Sequence, residues 1–310
     1  MRIVFMGTPD FAAAHLRRLI DDGCEIALAV TQPDKPRGRG HTLKAPPVKL
    51  AALEAGIPVY QPVSLRSDEV RARLSELEPE LLVVVAYGKL LPPEILALPK
   101  LGAVNIHASL LPKYRGAAPI QWAVLNGDRV TGVTSMYLGE GLDDGDIIYR
   151  SELEIGAGET SGELFDRLCE LGAGLISRTV YDIGLGIAPR TAQDESRVSQ
   201  APPLTREMSP LDFSGRGASE LRAWVYGLQP WPIASMEYGG VRLRVFAAET
   251  TESGSELEPG TVISADGAGI EVVCRGGETL LITEVQAPNK RRMSAGDFLR
   301  GFKPSDGGGN

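Results

Sequence analysis

Asn105 and His107 stand two residues apart in an apolar run, Gly102-Ala103-Val104-Asn105-Ile106-His107-Ala108. Asp143 follows in a turn rich in glycine and acid, Gly139-Glu140-Gly141-Leu142-Asp143-Asp144-Gly145-Asp146. In an extended chain the side chains of Asn105 and His107 leave by the same face. An amide and an imidazole side by side at a strand end can hold a carbonyl group and handle a proton. Each stretch alone also has a plain reading. Asn-x-His is equally a satisfied core histidine beside an edge asparagine, and a Gly/Asp turn needs no function, because those residues tolerate the conformations turns demand.

Elements that would position these groups are legible around them. Ile3–Met6 reads as a buried strand, turned by Gly7-Thr8-Pro9-Asp10-Phe11 into a helix over 12–21 that Gly23 closes. This strand–turn–helix opening suggests an α/β unit but is not the GxGxxG fingerprint, so a dinucleotide site is rejected. Residues 26–31 and 81–86 are continuous apolar strands, as expected when both faces of a parallel sheet are covered. Tyr87-Gly88-Lys89-Leu90-Leu91-Pro92 leaves the second of these at its carboxyl end, where open α/β sheets place ligands. A flat heterocycle could lie against that backbone; a simple strand-to-helix connection is the alternative. Helices are expected over 48–55, 67–78 and 160–181, the last opening on the capping-box pair Thr160 and Glu163.

The pattern changes after a stretch of Gly, Pro, Thr, Gln and Ser. Residues 1–187 are expected to form the catalytic domain, 188–206 a linker, 207–304 a second domain and 305–310 a disordered tail. In the second domain a helix over 218–226 precedes short strands at 234–238, 241–246, 260–264, 270–274 and 280–285. Gly239-Gly240 signals a hairpin, with Val241, Leu243 and Val245 on one face and Arg242 and Arg244 on the other. Five such strands fit a small barrel of the OB type.

Composition excludes several classes. The 310 residues are 43% hydrophobic and 23% charged, which suits a globular protein of two domains. No apolar run approaches the roughly 18 residues of a membrane span. Met1–Pro9 lacks the length and cleavage site of a signal peptide. Cys24, Cys169 and Cys274 are scattered, arguing against disulfides and zinc, and a reducing cytoplasm is the simplest home. His15, His41 and His107 are too dispersed for a histidine-rich centre, and the acidic turn lacks calcium-loop spacing, so no metal is expected.

The net charge of −8 looks wrong for a partner of nucleic acid, but placement matters more than the total. From Asp34 to Lys49 five cations (Lys35, Arg37, Arg39, Lys44, Lys49) face a single anion, Asp34. Lys290-Arg291-Arg292 forms a second knot. Four prolines and two glycines in 32–47 argue for a long, mobile, irregular loop. It reads either as a solvated insertion or as a cationic arm.

Taken together the stretches are far more specific. Val-Asn-Ile-His-Ala-Ser-Leu-Leu-Pro over 104–112, Tyr-Arg-Gly-Ala-Ala-Pro-Ile over 114–120 and Gly-Leu-Asp-x-Gly-Asp over 141–146 closely resemble the 10-formyltetrahydrofolate-dependent formyltransferases, from Arg2 to about Pro304. The resemblance is nearest to the branch whose acceptor is methionyl initiator tRNA. It implies a Rossmann-like, mostly parallel open sheet followed by a C-terminal OB-type barrel, with Asn105, His107 and Asp143 catalytic. It also implies a folate site on Tyr87, Gly88, Lys89, Leu90, Ser109, Leu110, Leu111, Pro112, Gly141 and Asp143. The Gln-Pro-Asp-Lys-Pro-x-Gly-Arg-Gly run matches the insertion loop that meets the tRNA acceptor end. Contacts to tRNA are expected from Lys35, Arg37, Arg39, His41 and Lys44; in the second domain Arg242 and Arg244 beside Lys290, Arg291 and Arg292 read either as a face that tracks the tRNA backbone or as solvated positions. His41 stands where the resemblance leads one to expect lysine, and Leu204–Phe213 departs from the pattern at the start of the second domain.

Direct attack of the amine on the formyl carbon is the expected chemistry, with no covalent enzyme intermediate, because an α-amino group already titrates near neutrality. The chain is expected to act as a monomer. Two other readings stay open: a relative that formylates a sugar-nucleotide amine or hydrolyses formyl folate, and a non-catalytic RNA-binding protein on the same fold.

Overall fold

Strands of uninterrupted Val, Ile and Leu are stable only when both faces are covered. The computed structural model, which describes residues 1–37 and 42–302, builds a seven-stranded sheet from them. In chain order the first strands are β1 (Arg2–Gly7), β2 (Glu25–Val30), β3 (Lys35–Arg37), β4 (Thr42–Lys44), β5 (Val59–Tyr60), β6 (Leu81–Val85), β7 (Ala103–His107), β8 (Arg115–Gly116), β9 (Val130–Tyr137), β10 (Ile147–Glu154) and β11 (Gln200–Ala201). The large sheet has the order β10-β9-β7-β6-β1-β2-β5. β5, β2, β1, β6 and β7 run parallel, while β9 and β10 are antiparallel additions at one edge. Strand order reverses at β1, which has β2 on one side and β6 on the other, and the crevice beyond such a switch point is the usual ligand position.

In chain order the first helices are α1 (Asp10–Asp21), α2 (Pro47–Glu54), α3 (Asp68–Ser75), α4 (Pro93–Leu96), α5 (Pro119–Leu125) and α6 (Ser161–Gly184). The capping box of α6 forms as the sequence expects: Glu163 N–H donates to Thr160 Oγ1 at 3.2 Å and Thr160 N–H to Glu163 Oε2 at 2.9 Å. Gly172, within α6, has no alternative residue at low cost. A Cβ there would lie 2.5 Å from Nε2 of the buried His15 on α1.

Residues 35–37 and 42–44 differ from the irregular loop expected over 32–47. β3 and β4 pair as an antiparallel ribbon, Lys35 opposite Lys44 and Arg37 opposite Thr42. A lone two-stranded ribbon leaves an outer edge without partners on each strand, and proline is tolerated where no ladder N–H is required. Its base is pinned. Lys49 donates to both Asp34 oxygens at 2.8 and 2.9 Å and to Gln61 at 2.8 Å, while Gln61 donates to the Gln32 carbonyl at 2.8 Å. Lys49 is therefore a structural partner of Asp34 and not a free cation of the arm.

The chain forms two compact units, one of 1–117, 130–154 and 165–201, the other of 118–129, 155–164 and 202 onward. The second contains α7 (Ala218–Gly227), β12 (Ala234–Tyr238), β13 (Val241–Gly254), β14 (Val262–Ala265), β15 (Ile270–Val273), β16 (Glu278–Gln286), β17 (Met293–Ser294) and α8 (Ala295–Gly301). Its antiparallel sheet has the order β12-β13-β16-β15-β14, with β17 on β16. Leu221, Trp224 and Val225 of α7 pack with Leu243, Val245, Leu280, Ile282 and Phe298 as its core. This half-barrel is the OB-like domain that the strand count implied. Alternation along β13 buries Leu243 and Val245 and exposes Arg242 and Arg244. No described helix is long and apolar enough to cross a membrane.

Candidate active site

β7 delivers two of the three singled-out side chains. Asn105 lies opposite Val84 of β6, and His107 opposite Thr134 of β9, at the end of the strand. Asn105 is half-buried, and among the described residues its amide makes no side-chain hydrogen bond. His107 is buried, with Nε2 2.8 Å from the Tyr114 carbonyl. A carbonyl oxygen can only accept, so Nε2 carries the proton. Nδ1 faces Asp143 at 3.5 Å from Oδ2, and that oxygen also accepts from Gly116 N–H at 2.9 Å. His107 and Asp143 thus meet at the carboxyl end of the sheet, with Asn105 two positions earlier on the same face of β7.

Asp143 reaches His107 from a strained backbone. Its φ is +51°, the left-handed region, which costs a residue with a Cβ roughly 1–2 kcal/mol. Gln193 Nε2 donates to the Asp143 and Gly145 carbonyls, both at 2.8 Å. At Gly141 a Cβ would fall 2.1 Å from the Asp144 carboxylate, so this position of the turn takes only glycine without rearrangement.

The remaining folate candidates divide by side-chain placement. Ser109 is fully buried; its hydroxyl donates to the Lys113 carbonyl at 2.6 Å and its own carbonyl accepts from Thr134 at 2.6 Å. It holds the loop and is not an exposed nucleophile. Leu111 packs with Met136 and Ile147, and its carbonyl accepts from Arg150 at 2.8 Å. Leu110 and Pro112 flank it in the same anchored segment. The Tyr87 ring is buried beside Val84 and Ile95, where burial pushes its phenol up to about 12. The Tyr87 carbonyl accepts from Thr8 at 3.1 Å and Gln32 at 3.2 Å, which fixes the root of the loop. Gly88, Lys89 and Leu90 are exposed beyond it, with Lys89 Nζ donating to the Val63 carbonyl.

Cationic candidates lie in separate places. Lys35 and Lys44 are exposed across the ribbon, and Arg37 ends β3; Arg39 and His41 lie outside the described residues, as does the expected disordered tail. In the other unit Arg242 and Arg244 project from β13, with Lys290 and Arg291 exposed. Arg292 is paired with Glu284 and lies 4.5 Å over the Phe246 ring, so its charge is largely offset. No cluster of His, Cys, Asp or Glu that could hold a metal occurs among the described residues.

Sequence reasoning overlooked Gln193, Arg115 and Glu195. Arg115 sits in the Tyr-Arg-Gly run, yet an arginine in a sequence reads as a solvated charge, and only the fold shows it buried. Gln193 falls in a stretch without periodicity, where no local signal marks it.

Comparison with known proteins places this geometry in context. Residues 1–180 match the formyl transferase family and residues 203–303 the C-terminal domain of formyl transferases. Methionyl-tRNA formyltransferase of Clostridioides difficile is 46% identical over 301 residues, covering 97% of each chain. That of Bacillus subtilis is 45% identical over 301 residues, covering 97% of this chain and 94% of the other. Among solved structures, the sugar 3N-formyl transferase WlaRD, determined with dTDP and 5-N-formyl-THF, superposes with a TM-score of 0.69 at 15% identity, covering 94% of this chain and 99% of that one. HypX from Aquifex aeolicus in complex with tetrahydrofolic acid gives 0.61 at 17% identity over 96% of this chain and 47% of its own. At such identities these structures speak for the fold alone.

Proposed function

The chain belongs to the formyl transferase family, in the branch of the methionyl-tRNA formyltransferases, and from that premise we propose that it transfers the formyl group of 10-formyltetrahydrofolate to the α-amino group of methionyl initiator tRNA, in the service of translation initiation. The observation that carries this reading is the full-length match at 46% identity, which spans the cationic ribbon and the C-terminal half as well as the catalytic stretches. A sugar-nucleotide acceptor is supported only by likeness of fold.

The donor supplies an activated formyl carbon. The amine forms a C–N bond to it, the bond to N10 of the folate breaks, and one proton passes from the amine to the departing nitrogen. The unpartnered amide of Asn105 fits the formyl oxygen, where charge develops as the amine attacks. His107 keeps Nε2–H on the Tyr114 carbonyl and presents Nδ1 to the proton traffic. Asp143 takes the proton from the amine, directly or through water, and accepts from Nδ1 whenever that nitrogen also holds a proton. Exposed 88–90 and the anchored 109–112 segment would flank the pterin, and Arg39 with Lys35 and Lys44 would meet the acceptor stem.

Purified protein given 10-formyltetrahydrofolate and either methionyl initiator tRNA or a sugar-nucleotide amine tests the reading by product mass. The methionyl group is expected to gain the mass of CO. Formylation of the sugar amine alone, or release of formate with both acceptors untouched, would overturn it.

A further inference from the structure

The stretch expected to link the two halves is instead laced through the active site of the first. Thr191 exchanges both backbone hydrogen bonds with Ile147 at the foot of the Asp143 turn, 2.8 and 3.0 Å. Arg190 lies 3.6 Å over the Tyr137 ring and 3.8 Å from Asp146. Gln193 donates to the carbonyls on either side of Asp144. At the far end Ser199 accepts from the Tyr114 and Arg115 amides, each at 2.9 Å, and β11 pairs with β8. One strap therefore grips the two pieces that hold His107 and Asp143 together: the Tyr114 carbonyl that fixes the ring, and the turn that carries the carboxylate.

Gln193 is the joint of this strap. Its Nε2 holds the turn while its Oε1 accepts from Arg115 Nε at 3.1 Å and Nη2 at 2.8 Å. Arg115 in turn binds Glu195, at 2.6 Å from Nη2 and 3.2 Å from Nη1. The guanidinium is buried, so it orients the glutamine amide and leaves only the NH2 end free to face the two carbonyls. The next residue, Gly116, has φ +126° and no room for a Cβ, which would lie 2.7 Å from the Ala201 carbonyl; its N–H is the one bound to Asp143 Oδ2. A left-handed aspartate relaxes unless its surroundings hold it.

We propose that Gln193, oriented by Arg115 and Glu195, is a positioning residue that sets the Asp143 carboxylate against His107, and that 190–201 acts as a brace of the catalytic geometry. The kinetic part of this inference rests on the function proposed above; the structural part does not. Gln193→Met removes both donated hydrogen bonds at similar volume. Gln193→Glu keeps an acceptor for Arg115 but turns an oxygen toward the two carbonyls, so it preserves the fold if the methionine variant does not.

The first readout is hydrogen exchange of the Gly116 amide, which should quicken roughly tenfold in either variant once the Asp143 acceptor is free to move, with exchange in β6 unchanged. Unchanged protection of Gly116 in both variants would overturn the brace whether or not the protein formylates anything. The second readout is kinetic: kcat for methionyl-tRNA should fall by about 10–100-fold with KM within threefold, and the loss should vanish in an Asp143→Asn background. Additive losses there would overturn the route through Asp143. Failure of the wild type to formylate methionyl-tRNA would remove the proposed function while leaving the exchange result to decide the brace.

Discussion

With Nε2 committed to the Tyr114 carbonyl, His107 has a single ring nitrogen for chemistry, and that nitrogen faces Asp143. Removing either partner should act on kcat. His107→Ala or Asp143→Asn should lower single-turnover formyl transfer by roughly 10²–10⁴; a rate within threefold of wild type for either would remove that residue from the mechanism. His15 shows what a histidine does when it is only core. It is fully buried on α1, Nδ1–H donates to the Phe11 carbonyl at 2.7 Å, and Nε2 has no partner among the described residues. Burial lowers its pKa to about 4. The unfolded chain, titrating near 6.5, then binds more protons between those values, so stability is full above about pH 6.5 and declines toward pH 4. Urea unfolding should show about 2 kcal/mol less stability at pH 5 than at pH 7 from this group. Replacing His15 by Leu should flatten that part of the profile, and an unaltered slope would mean that other groups set it.

Among the elements, the β3–β4 ribbon depends on its root. Among the described residues its two strands pair only with each other, so its direction is set by Asp34, Lys49 and Gln61 at its root. The hydrogen bond from Lys49, more than any other influence, holds the Asp34 carboxyl below the usual range. Lys49→Met should loosen the ribbon without touching the catalytic groups. Steady-state kinetics should then show KM for methionyl-tRNA raised roughly three- to tenfold with kcat unchanged, the signature of lost binding common to ground and transition states. A fall in kcat at constant KM would place Lys49 in the chemistry instead. Gly116 and Gly172 also serve the packing of elements: each lets another element approach where a methyl group would collide.

For the whole molecule the net charge of −8 means that tRNA affinity must come from local cations against an unfavourable average field. Filter binding of methionyl-tRNA across salt concentrations should give a linear log–log plot. Its slope should flatten by about 0.7–0.9 for each cation that truly meets a phosphate. Lys35→Ala and Arg242→Ala are expected to do so, and Arg292→Ala is not, since Glu284 already offsets it. An unchanged slope for Lys35→Ala would make the ribbon a bystander.

Local rules in the chain determined a great deal on their own. Apolar runs became the parallel sheet, Thr160 and Glu163 capped α6, Gly239-Gly240 turned the hairpin, and the two-residue spacing put Asn105 and His107 on one face of a strand, because each of these depends on neighbours a few positions away. Pro36 misled, since proline discourages regular structure in general but is tolerated in a ribbon where no ladder N–H is required. What only the tertiary structure decided depends on separations along the chain that no local pattern encodes. That Lys49 is a partner and not a free cation, that Ser109 is committed to its loop, and that a supposed linker brings Gln193 to the back of Asp143 all follow from which buried polar groups found one another when the chain closed. Most polar groups taken out of water find partners within the fold, but the partner that satisfies each is chosen by three-dimensional proximity alone.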